Sequence, residues 1–150
     1  MSERRIIYPP VWLVIGVVVI FALDEFLPGP RFAGEAAQFA GSALLVVGLA
    51  LLVVAGGLFT RADTGMVPFK DTRALVTHGL YRYSRNPMYV AMALVLLGVA
   101  VTVGASLALL VPPAFLLIID RRYIRAEERQ LEALFGDEYR TYCQRVRRWL

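Results

Sequence analysis

Three stretches of the chain carry no charge: Ile6 to Leu23, Ala36 to Phe59 and Pro87 to Ile119, of 18, 24 and 33 residues. A helix needs about 20 apolar residues to cross a bilayer core roughly 30 Å thick. The first two blocks therefore predict one membrane helix each, a pair of scaffold spans within 6–59. The third would run to about 50 Å as a single helix at 1.5 Å per residue, so it has to fold back. Gly104-Ala105-Ser106 marks the turn, and Pro112-Pro113 predicts a kink or a late start in the returning helix. The pattern thus describes an all-α integral membrane protein of about four transmembrane helices, with a tight C-terminal hairpin, as one domain over 1–150.

The polar intervals are as informative as the apolar ones. From Thr60 to Arg85 the chain leaves the apolar pattern, punctuated by Asp63-Thr64-Gly65 and Pro68, with a short apolar piece Ala74-Leu75-Val76-Thr77 ending at His78-Gly79. Connections of this length are functional where they are not disordered, and the aromatic and aliphatic content favours order. Asn86-Pro87 then reads as a helix start: asparagine caps, and proline suits a first position whose N–H has no partner. Arg85 stands just before that cap and contributes nothing to starting a helix.

Beyond the third block, Ile124, Glu127, Glu128 and Leu131 share one face of an amphipathic helix over Asp120 to Phe135, and Leu134 and Phe135 extend its stripe. Carboxylates on a buried face need cations or donors. The plainer alternative is that Glu127 turns sideways to Arg122 or Arg125, a weak surface pair. Gly136 ends this helix, and Asp137 to Trp149 forms a basic, aromatic segment suited to a membrane interface.

Composition agrees: 58% of residues are hydrophobic and the mean hydropathy is +0.59. Of the sixteen basic residues, all but Arg31 fall on one side of the four predicted spans. The positive-inside rule makes that side cytoplasmic and carries both termini with it. The net charge of +4 is accounted for by this topology and by anionic lipid headgroups, with no call for nucleic acid. Cys143 is the sole cysteine, so no disulfide forms within the chain. Arginines before the first block resemble a signal peptide, but no small-x-small site precedes Asp24 and cleavage is not expected.

Arg73-Ala74-Leu75-Val76-Thr77-His78-Gly79-Leu80-Tyr81, then Arg85-Asn86-Pro87-Met88-Tyr89, then Glu127-Glu128 and Phe135-Gly136-Asp137-Glu138-Tyr139 form an ordered set around the predicted hairpin. Over roughly Val67 to Trp149 the set resembles the membrane methyltransferases related to isoprenylcysteine carboxyl methyltransferase and phospholipid methyltransferase. That resemblance implies S-adenosylmethionine as methyl donor, leaving as S-adenosylhomocysteine, held at the cytoplasmic end of the hairpin. It places Arg73, Ala74, Leu75, Val76 and Tyr81 at the adenosine end. Asn86, Pro87, Met88 and Tyr89 hold the methionine end at a helix N-terminus, and Glu127 meets the amino group or ribose. Arg73 and Asn86 stand where the eukaryotic carboxyl methyltransferases usually have histidines, and asparagine is neither acid nor base near neutral pH.

The acceptor stays open. A carboxylate of the isoprenylcysteine type is already ionised and needs only alignment and desolvation. Arg85, with Arg122, would orient it through paired hydrogen bonds, so Arg85 and Asn86 are the candidate catalytic residues and Arg85, Arg122 and Glu128 the candidate acceptor contacts. A phospholipid amine would need a base, for which Glu127 or Glu128 is placed. A thiol acceptor, a related NADPH-dependent membrane reductase and a non-catalytic scaffold stand beside these readings. No metal site is expected.

Overall fold

The structure, a computed structural model, describes residues 8–27, 29–32, 34–61 and 74–150. Arg73 lies outside them, as do Asp63-Thr64-Gly65 and Pro68. Six α-helices follow one another: α1 Pro9–Phe26, α2 Glu35–Arg61, α3 Pro87–Val103, α4 Val111–Ile119, α5 Arg125–Phe135 and α6 Asp137–Arg145. Single 3₁₀ turns cover Gly79–Arg82 and Ser106–Leu110, and a π-helical turn over Asp120–Ile124 joins α4 to α5.

The apolar blocks become helices close to their predicted limits. α1 and α2 are long and apolar enough to cross a membrane, with mean hydropathies of 1.9 for Pro9–Phe26 and 2.4 for Glu35–Leu58. They also expose the kind of face a lipid would cover: Val14, Val18 and Phe21 on α1, Phe39, Val46 and Val53 on α2. α3 is a shorter apolar helix and lies inside the bundle, burying Tyr89, Ala91, Met92, Val95, Leu96 and Ala100. Ile20, Leu96, Ile119 and Ile124 are the largest fully buried side chains, so the core gathers α1, α3, α4 and the π turn.

The predicted turn between α3 and α4 forms at Gly104, whose φ of 77° is left-handed and favours a residue without a Cβ. α4 begins at Val111 with the prolines in its first turn, which is the late start the sequence implied. At the same end, the α1–α2 loop pairs with this turn. Phe32 N–H donates to Gly104 O (2.9 Å), Ser106 N–H donates to Pro30 O (3.1 Å), and Arg31 pairs with Asp24 (2.7 Å).

The tight hairpin needs one correction. α3 packs most extensively on α2, not on α4. The reason lies in three glycines. A Cβ at Gly98 would meet the backbone N of Leu45 at 2.5 Å and the Gly41 carbonyl at 2.8 Å, and one at Gly48 would meet the Val95 N at 2.8 Å. The two antiparallel helices therefore touch backbone to backbone, which small residues alone permit. Leu134 is a second correction: it sits at the edge of the α5 stripe and is exposed.

Candidate functional site

The end of the bundle opposite the Gly104 turn gathers the residues singled out in the sequence. The segment 74–77 runs without helix into the 3₁₀ turn, where Val76 and Tyr81 are buried and Leu75 packs on Tyr139, Tyr142 and Val146. Tyr142 OH donates to the Tyr81 carbonyl at 2.7 Å, tying α6 to that turn. Burial pushes the Tyr142 hydroxyl up to about 12 and raises that of Tyr81 further, so both remain neutral hydrogen-bonding groups.

α3 starts at Pro87, as proline at the first helical position requires. Asn86 occupies the cap position but its side chain does not cap. Its Nδ2 instead donates to the Arg148 carbonyl at 2.9 Å, while its backbone N–H donates to Ser84 Oγ at 3.1 Å. The capping expectation for Asn86 is corrected accordingly: a distant carbonyl takes the amide, and the first turn of α3 carries no side-chain cap. Arg85 N–H donates to the Arg147 carbonyl (3.0 Å), so the tail 146–148 lies along 84–86 as a strap.

The two adjacent glutamates of α5 have different surroundings. Glu128 is matched by arginines: Arg148 donates from Nε (3.0 Å) and Nη2 (2.7 Å), and Arg85 Nη1 lies 3.1 Å from Oε1. Glu127 accepts a hydrogen bond from the neutral Tyr89 hydroxyl at 2.7 Å. Burial first, then the neighbouring Glu128 charge, raise the Glu127 carboxyl above its ordinary value, against the opposing effect of the Tyr89 bond. The sideways pairing of Glu127 with Arg122 or Arg125 does not occur. Arg125 pairs with Asp120 (3.0 Å), and Arg122 lies over the Trp12 ring, 5.6 Å from its centroid.

Arg85 therefore does have structural work. Besides Glu128, its Nη1 reaches Cys143 Sγ (2.8 Å) and Tyr139 OH (3.4 Å), while its Nε is buried without a hydrogen-bond partner among the described residues. Arg122 is directed instead to α1, where Trp12 Nε1 also donates to Tyr123 OH at 2.9 Å. The structure thus brings together Tyr81, Arg85, Asn86, Pro87, Tyr89, Glu127 and Glu128, with Met88 half-buried beside Pro87 and Tyr89 and Val76 buried in the segment that leads to Tyr81. The sequence reading missed Arg148 and Tyr142. Tyr139, Tyr142 and Val146, at i, i+3 and i+7, form an apolar stripe that was legible. Nothing local separates Arg148 from Arg145 or Arg147.

A family model of phospholipid methyltransferases matches residues 36–138, from the start of α2 through the two glutamates to the first turn of α6. The chain belongs to that family. A Haemophilus influenzae protein described only as uncharacterized is 49% identical over 63 residues, 42% of this chain and the whole of that protein. Two rice proteins (Oryza sativa subsp. indica and japonica), each described as a probable protein-S-isoprenylcysteine O-methyltransferase, are 34% identical over 83 residues. The match covers 53% of this chain and 42% of each rice protein, so the chain spans less than half the length of those relatives. Membership in the methyltransferase family and two helices long and apolar enough to cross a membrane together describe a membrane methyltransferase fold.

Proposed function

We propose that this protein transfers a methyl group from S-adenosylmethionine to the carboxylate of a membrane-associated, isoprenylcysteine-type acceptor, at the end of the bundle where α3 begins. The observation that carries the reading is the Glu127 carboxyl, held by the Tyr89 hydroxyl and without an arginine among the described residues, while its neighbour Glu128 takes two. A buried carboxyl in that setting suits the ammonium of the donor, and the Met88 N–H in the first turn of α3, which carries no side-chain cap, suits its carboxylate. Ala74, Leu75, Val76, Tyr81, Asn86, Pro87 and Met88 would enclose the remainder of the donor, with Arg73 as an expectation beyond the described residues. A four-span topology with both termini cytoplasmic, proposed with this reading, would put this end at the cytoplasmic surface.

In the reaction, a carboxylate oxygen attacks the methyl carbon in line with the sulfonium. The carbon–sulfur bond breaks with its electron pair passing to sulfur, giving a methyl ester and S-adenosylhomocysteine with no proton to remove. Alignment and exclusion of water are then the protein's task. Arg85, whose Nε is buried and without a partner among the described residues, would orient the acceptor, and that unpaired N–H supports the assignment.

One observation favours a second reading. The raised affinity of Glu127 for a proton suits a general base, which a phospholipid amine acceptor would require. The experiment is equilibrium binding of S-adenosylhomocysteine and NADPH to the protein in nanodiscs, followed by turnover with a farnesylated cysteine derivative and with phosphatidylethanolamine. Binding of S-adenosylhomocysteine alone and methylation of the prenylcysteine carboxylate are expected. Methylation of the phospholipid amine alone would select the second reading, and NADPH binding alone would replace both with a reductase.

A further inference from the structure

We infer that Arg148 is a positioning residue for Arg85: by occupying both oxygens of Glu128 it keeps that carboxylate from taking the Arg85 guanidinium through more than Nη1, so that the buried, unpaired Nε is left for an anionic acceptor to satisfy. The inference rests on the proposed carboxylate methylation and assigns a part of that site to the C-terminal strap.

The two guanidiniums are used very differently. Arg148 is engaged through all three of its nitrogens. Its Nε and Nη2 take Glu128 Oε1 and Oε2 at 3.0 and 2.7 Å, and its Nη1 takes Asp120 Oδ1 at 3.2 Å. Among the described residues, Arg85 is engaged through Nη1 alone, toward Glu128 Oε1, Cys143 Sγ and Tyr139 OH, while its Nε is buried and unpaired. A buried guanidinium N–H without a partner is costly, and a carboxylate accepting two parallel N–H bonds is the natural way to satisfy it. Glu128 lies within reach and would close on Arg85 in that way if its oxygens were free. Arg148 prevents this.

The strap also holds Arg85 by its backbone N–H and the next residue by its side-chain amide. The Arg85 N–H is held by the Arg147 carbonyl (3.0 Å), and the Asn86 amide is held by the Arg148 carbonyl (2.9 Å). Loss of the Arg148 side chain is therefore expected to turn Arg85 inward onto Glu128 while leaving Glu127 and Tyr89, on the donor side, paired as before. A merely structural residue would not discriminate between the two substrates in this way.

The test is steady-state kinetics in nanodiscs with a farnesylated cysteine derivative, alongside calorimetric binding of S-adenosylhomocysteine and a melting curve. Arg148→Ala is expected to raise KM for the acceptor at least tenfold, to change kcat less than threefold and to leave the S-adenosylhomocysteine Kd within twofold. Adding Glu128→Gln to Arg148→Ala should bring the acceptor KM back toward wild type, because the captor carboxylate is gone. Should Arg148→Ala fail to fold, Arg148→Lys is expected to show the same acceptor-selective rise at smaller size, since a point charge cannot occupy both oxygens. An unchanged acceptor KM, or a loss shared equally by donor and acceptor and not repaired by Glu128→Gln, would overturn the inference with the methyltransferase reading intact. A wild-type protein that binds S-adenosylhomocysteine yet never methylates the prenylcysteine would remove the acceptor reading and this inference with it.

Discussion

Glu127 and Glu128 are neighbours in sequence on α5, yet one faces a tyrosine and the other two arginines. The difference decides what each can do. Glu128 is neutralised by the fold, whereas Glu127 is a buried carboxyl for which the described residues supply no cation. Glu127→Gln should thus keep the fold and the Tyr89 contact but weaken S-adenosylhomocysteine by about 1.5–3 kcal/mol, the range for a charge-assisted hydrogen bond. Calorimetry on the folded variant checks this. The pH dependence has a definite sign. The Glu127 carboxyl is raised above its ordinary 4.5, and a cationic ligand favours its ionised form. Affinity should accordingly hold at high pH and fall as the pH drops through that raised value, with proton release on binding inside the window. Asn86 teaches the opposite lesson about reading residues. Its local sequence says cap, and so does its position before Pro87, but the Arg148 carbonyl, 62 residues away, takes the amide instead. No local pattern contains that partner.

The helices were legible because their causes are local: uncharged runs set their lengths, Gly104 sets the turn and the prolines set the start of α4. Their pairing was less so. The glycines of α2 announced close approach to something, and only the fold shows that the partner is Gly98 on α3. The contact can be tested directly. Gly98→Ala drives a methyl group onto the backbone of Leu45 and Gly41, which cannot rotate away as a side chain tip can. Overpacking of this kind costs about 1–3 kcal/mol, more than the roughly 0.5–1 kcal/mol an alanine returns to a helix. Gly57→Ala on the same seam-forming helix is the control, since a Cβ there meets nothing within 4 Å. Thermal unfolding in detergent should show Gly98→Ala melting lower and Gly57→Ala unchanged or slightly higher.

At the scale of the whole molecule, the 29–32 loop and the 104–106 turn are hydrogen-bonded to each other, so both belong to one end. The strap, the 3₁₀ turn at Gly79–Arg82 and the start of α3 belong to the other. With the basic residues gathered on the strap's side, thiol labelling from outside should reach Gly34→Cys in a Cys143→Ser background and should not reach a cysteine appended after Leu150. Labelling of both from the same side would rule out four spans. The backbone seam between α2 and α3 has a mechanical consequence as well. Helices that meet through side chains can slide by exchanging rotamers, but Gly41, Gly48 and Gly98 leave nothing between the two backbones to rearrange. A shift of one residue would push a side chain into a carbonyl. α2 and α3 are therefore expected to move as a single rigid slab in any rearrangement of the bundle.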